Sequence, residues 1–143
     1  KFLLRCSSEI YIKNTTNNRK IMRQLKFRVW DFVSKRFIAE GNIQDEIGGY
    51  DGEVVEYQQF IGLKDKNKRE IYEGDILKIP VRYLGAISIS KDDDIEYHVG
   101  YVFYNIESLS YILQLKQNQY CIDVDDDIIE IIGNIFENSE LLK

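Results

Sequence analysis

At 143 residues the chain is long enough for one domain, or for two small subdomains sharing a core. One Pro against nine Gly, ten Tyr and seven Phe favours strands and tight turns over disorder, and no apolar run approaches the length that spans a bilayer. The formal charge of −5 divides unevenly: residues 1–21 carry five Lys/Arg against one Glu, a net +4, leaving 14 Lys/Arg against 23 Asp/Glu, a net −9, on residues 22–143. So acidic a body argues against strong nonspecific binding to nucleic acid.

Residues 1–21 do not read like the remainder. Phe2-Leu3-Leu4 is short and apolar, and Asn14 to Asn18 is a polar turn. Glu9 to Lys13 would do best as an edge strand. The segment is basic and poor in acids, as an organellar presequence is, but it lacks a sustained amphipathic period. It is therefore read as an extension or peripheral arm, with the only Met, Met22, as the expected domain start.

Leu25, Phe27 and Val29 alternate with Lys26 and Arg28, which predicts a strand through Val29. Trp30-Asp31 breaks the alternation, Ser34-Lys35-Arg36 reads as a turn, and Arg36 to Ala39 returns as the second strand of a hairpin. Gly41 to Gly52 reads as a loop and Glu53 to Ile61 as a strand. Lys64 to Arg69 is turn chemistry, because Asp and Asn tolerate the left-handed conformation and bond nearby backbone. From Asp75 onward the pattern predicts a barrel-like unit. Its strands are Ile76 to Val81, Arg82 to Ser90, Ile95 to Tyr104, Ser110 to Leu115, Tyr120 to Val124 and Ile128 to Ile135, followed by a short helical tail to Leu142.

Cys6 and Cys121 fit no metal or redox spacing and read as two separate buried or half-buried thiols, which points to a reducing, cytoplasmic compartment. His98, the only histidine, sits in an alternating strand without a partner supplied by any motif, so it reads as structural or surface. Asp92, Asp93, Asp94 and Asp125, Asp126, Asp127 invite a divalent-ion reading. Neither run matches an EF-hand, and adjacent carboxylates on an extended chain point to opposite sides. They read as solvated turns, and as a candidate acidic interaction surface for a basic partner or as a mimic of nucleic acid. Lys64, Lys66, Lys68 and Arg69 are the one basic cluster of the body and the candidate nucleic-acid contact, diluted by Asp65 and Glu70. Tyr101, Phe103, Tyr104, Tyr111 and Trp30 suit stacking platforms, or core and interface positions. No phosphate-binding glycine pattern or nucleophile elbow is present. The expectation is therefore a non-enzyme with no catalytic residue, no metal and no cofactor.

Lys26-Phe-Arg-Val-Trp-Asp31, Gly62-Leu-Lys-Asp-Lys-Asn67, Glu70-Ile-Tyr-Glu-Gly-Asp-Ile76 and Ile132-Gly-Asn-Ile-Phe-Glu-Asn138 occur in this order. Together they resemble the YopX family of bacteriophage and prophage proteins, over roughly residues 25–142. The resemblance implies a phage or prophage origin in a bacterial host, a mainly β (β-rich α+β) fold with an SH3-like barrel in the C-terminal part, and possible self-assembly; it implies no catalytic residue. The expected organisation is an extension over 1–21, an N-terminal β-hairpin region over 22–73 and the SH3-like barrel over 74–143, packed on one another. The expected function is accessory, through protein–protein contacts as a homo-oligomer or with a host or phage protein, with no membrane partner. Binding or mimicry of nucleic acid is the alternative.

Overall fold

The computed structural model describes residues 25–42, 54–80, 97–122 and 128–143. Over these the chain is mainly β, with nine strands and one 3-10 helix. β1 (Lys26–Asp31) and β2 (Arg36–Asn42) form an antiparallel hairpin. The Asp31 carboxylate shapes its turn, accepting from the Val33 and Ser34 amides at 2.9 and 3.1 Å and from the Ser34 hydroxyl at 2.5 Å. The expected end of β1 at Val29 is corrected here. The register slips between Val29 and Trp30, so both residues are buried, and the strand continues to Asp31 beyond this bulge.

β3 (Val55–Lys64) pairs with β1 and, through a five-residue turn, with β4 (Glu70–Tyr72). The sheet order is β2-β1-β3-β4. β3 outruns its expected end at Ile61 because a second irregularity, between Phe60 and Lys64, carries the chain through Gly62 at φ +93°. Glycine takes that conformation without the Cβ clash other residues suffer.

β5 (Asp75–Pro80), β6 (Tyr97–Asn105), β7 (Ser110–Gln114), β8 (Gln119–Cys121) and β9 (Glu130–Asn134) make a second antiparallel sheet in the order β8-β7-β6-β5-β9. β5 lies between β6 and β9, and five of its six residues are buried. The helical tail is shorter than expected, a 3-10 helix over Ser139–Leu142. The expected strand over 82–90 and the two Asp runs lie outside the described residues.

The core crosses from one sheet to the other. Ile71 of β4 packs with Leu77 and Ile79 of β5, Val102 of β6, Leu113 of β7, and Leu115 and Ile129. Backbone hydrogen bonds fix the joint: Glu73 donates to the Gln59 carbonyl at 2.9 Å, Gly74 to that of Val102 at 2.8 Å, and Ile135 to that of Gly74 at 2.9 Å. Gly74 stands at φ +77°, where a Cβ would lie 2.0 Å from Gln58 Nε2. Both the backbone conformation and the close approach of Gln58 require glycine there.

Candidate functional site

The polar side chains between the two sheets form a closed network. Arg28 donates to Gln58 Oε1 at 2.8 Å through Nε and to Asp75 Oδ1 at 2.6 Å through Nη2. Asn134 donates to Gln58 Oε1 at 3.1 Å, and the Tyr72 amide to Asp75 Oδ2 at 2.8 Å. The guanidinium carbon of Arg28 lies 4.4 Å from the ring centre of Phe37 and 4.8 Å from that of Tyr72, so the cation is flanked by aromatic faces. Burial pushes the Asp75 carboxyl above its ordinary range, against the opposing pull of Arg28, the Tyr72 amide and Asn134. At the network's edge the Tyr72 phenol lies 3.0 Å from both Glu40 and Glu70, and Lys26 donates to Glu70 at 2.7 Å. Burial, then the two carboxylates, raise the Tyr72 hydroxyl far above the usual phenol. Among the described residues no buried side-chain N or O lacks a hydrogen-bond partner. This chemistry joins the two sheets.

The β3–β4 turn is held in the same way. Asp65 is fully buried, although it sits in a run of charged residues. Its carboxylate accepts from the amides of Asn67 and Arg69 at 2.9 Å each and from the Ile131 amide at 3.3 Å. It also accepts from Arg69 Nε and Nη2 at 2.9 and 2.6 Å. Burial raises this carboxyl, but the Arg69 side chain and the three amides outweigh it and hold it below the usual range. Arg69 Nη2 also donates to the Ile131 carbonyl at 2.6 Å, the Lys66 amide to the Ile129 carbonyl at 2.8 Å, and Lys66 Nζ to Glu130 at 2.8 Å. The charged turn is thereby clamped along β9, about 64 residues away in sequence.

Among the described residues, the surface includes an aromatic groove and an exposed hairpin tip. A groove of about 160 Å³ lies where β3 and the β4–β5 turn meet β6. Its lining includes Glu56 and Tyr57 of β3, Glu73 and Gly74 of the β4–β5 turn, and Tyr101, Phe103 and Tyr104 of β6. Glu56, Tyr57 and Tyr104 are exposed, and the Tyr101 and Phe103 ring centres are 6.0 Å apart.

The second surface is the tip of the β6–β7 hairpin. Asn105 Oδ1 accepts from the amides of Glu107 and Ser108 at 2.8 and 3.2 Å, and Tyr104 packs edge-on to Tyr111 at 5.4 Å. On this ordered turn Ile106 is 78% exposed and Leu109 72%. Leu109 stands at φ +52°, a left-handed conformation that costs a bulky residue about 1–2 kcal/mol.

The residues singled out in the sequence separate in the structure. Lys64 at the end of β3 and Lys66, Lys68 and Arg69 on the turn are all exposed, with Lys66 paired to Glu130 and Arg69 to Asp65. Asp92, Asp93, Asp94, Asp125, Asp126 and Asp127 are outside the described residues. His98 is half-buried on β6 opposite Ile79, and Cys121 is half-buried on β8. Trp30 is core, with its ring 5.2 Å from Phe136 and 5.0 Å from Phe37. Tyr101, Phe103 and Tyr104 come together at the groove, but Glu56, Tyr57 and Glu73 had no local signal joining them to β6. Only its exposure marks Tyr57, and exposure is a property of the fold. Among the described residues no group of His, Cys, Asp and Glu could hold a metal, and no helix is long and apolar enough to cross a membrane.

A family model described as YopX protein matches residues 39–143, which includes three of the four sequence pieces singled out above; Lys26 to Asp31 precedes it. Similar solved structures include two bacterial proteins. Protein yopX from Bacillus subtilis is 17% identical, with a TM-score of 0.50 over 85% of this chain and 98% of that one. Protein EF1440 from Enterococcus faecalis is 21% identical, with a TM-score of 0.47 over 83% of this chain and 98% of that one. The first of these is a likeness of fold alone. A comparison with curated proteins finds no match.

Proposed function

From the premise that this chain belongs to the YopX family, we propose that it is a non-enzymatic phage or prophage accessory protein. It acts in the bacterial cytoplasm through protein–protein contacts, with β5–β9 curled into an SH3-like barrel. The connectivity supports the barrel: β6, β7 and β8 run as a meander, and β9 returns to the far side of β5. That order leaves β8 and β9 as the two edges a curling sheet would bring together.

The observation that carries the contact reading is the β6–β7 tip. Ile106 and Leu109 hold apolar side chains in water at 78% and 72% exposure, on a turn ordered by Asn105 and strained at Leu109. Strain kept at an exposed apolar position points to a contact surface, and the first partner to test is a second copy of this chain. Size-exclusion chromatography with light scattering at high micromolar concentration tests it: the wild type should run as an oligomer and Ile106→Asp/Leu109→Asp as a monomer. A strictly monomeric wild type would remove self-association. Affinity capture from host cells returning the same proteins with wild type and double variant would then remove the tip as the contact.

A further inference from the structure

We propose that the groove between β3 and β6 is a binding site for an arginine side chain on an extended segment of a partner protein. Its volume, about 160 Å³, is below the roughly 300–1,000 Å³ of small-molecule sites and suits one long side chain. Glu56 supplies a carboxylate and Glu73, whose Oε2 already accepts from the Gln59 amide at 2.9 Å, adds negative charge; Tyr57, Tyr101, Phe103 and Tyr104 supply aromatic rings, and no Lys, Arg or His is among the described lining residues. Aromatic faces attract cations electrostatically, and a carboxylate beside them pairs with the same charge. Arginine fits better than lysine because its planar, weakly hydrated guanidinium stacks on a ring while its edge forks to a carboxylate.

The protein already holds one guanidinium in this way. Arg28 lies between Phe37 and Tyr72 with Asp75 at 2.6 Å. Arg28 also stands behind the groove, with Nη2 3.3 Å from the Glu73 carbonyl, but Asp75 offsets its charge. The net −9 of residues 22–143 adds a long-range attraction for a basic partner. This inference rests on the protein-contact reading and names the chemistry of one contact; the hairpin tip is a separate surface.

The test titrates the full chain, at low salt, with a blocked pentapeptide of one arginine between alanine pairs and with the same peptide carrying neutral citrulline. Amide chemical shifts report the site. The expected result is saturable shifts at Tyr57, Gly74 and Val102 with the arginine peptide. Binding should weaken about three- to fivefold in Glu56→Gln and in Tyr104→Ala, both substitutions at exposed positions. Citrulline should bind more weakly by at least the same factor. Ile106→Asp/Leu109→Asp should leave the titration unchanged, so failure at the tip and failure at the groove are told apart. Equal binding of the two peptides, or saturable shifts elsewhere or none, would overturn the proposal. So would an oligomer that dissociates on Glu56→Gln, because a second copy would then be the occupant.

Discussion

Replacing Asp65 should be among the most damaging single changes on the surface-facing turns, although it lies in a run of charged residues. Asp65→Ala removes the acceptor of three amides and of Arg69. Arg69 is half exposed, so its pair with Asp65 is worth about 1 kcal/mol after solvent screening. The Asn67 and Arg69 amides lose about 1 kcal/mol each, since water can partly replace the carboxylate, and the longer bond from Ile131 adds less. The expected loss is about 3 kcal/mol, or a fall in Tm of roughly 10 °C for a chain of this length. Asp65→Asn keeps one acceptor oxygen and should lose about half as much. Lys66→Ala should change stability by less than about 0.5 kcal/mol, because the Lys66–Glu130 pair is exposed on both sides. Urea unfolding followed by circular dichroism measures all three. The Asp65 carboxyl is depressed in the fold, so its contribution is complete above its unfolded value of about 3.9 and is lost as pH falls through the folded value. The gap between wild type and Asp65→Asn should therefore narrow below about pH 4. An Asp65→Ala protein within 0.5 kcal/mol of wild type at pH 7, by the scale of surface substitutions, would refute the clamp.

Gly74→Ala should destabilise by about 2–4 kcal/mol, since a Cβ meets Gln58 Nε2 at 2.0 Å, φ is positive, and Gln58 is pinned by Arg28 and Asn134. Gly62→Ala, also at positive φ but with open space around it, should cost only about 1 kcal/mol; equal losses in thermal unfolding would contradict this account. Leu109→Gly should raise stability by up to about 1 kcal/mol by relieving the left-handed conformation, while weakening any association seen by light scattering. In gel shifts the wild type should give no complex that weakens steeply with salt, because Lys66 and Arg69 are already paired and the body is acidic. A salt-sensitive complex lost on Lys64→Ala/Lys68→Ala would establish the β3–β4 turn as a nucleic-acid contact.

The sequence alone was enough for the mainly β class, the first hairpin and the family, because each is written in short-range pattern. Leu25, Phe27 and Val29 alternate with charges, Asp31 to Arg36 has turn chemistry, and the motif pieces are local strings. β4 was not legible: three residues beside a charged turn offer no period to read, and Ile71 becomes core only when β5 and β7 close over it. The motif residues Asp65, Tyr72, Gly74, Asp75 and Asn134 stood out as a family signature without revealing their use. Beside their local bonds, they reach between the two sheets or, for Asp65, to Ile131. Whether a carboxylate is a solvated charge or a buried anchor depends on which distant amides reach it. Asp65 and Lys66 are adjacent in a hydrophilic run, yet one is sealed in and the other is at the surface. The groove has the same origin. Glu56 and Tyr104 belong to different sheets, and only packing sets their chemistry side by side.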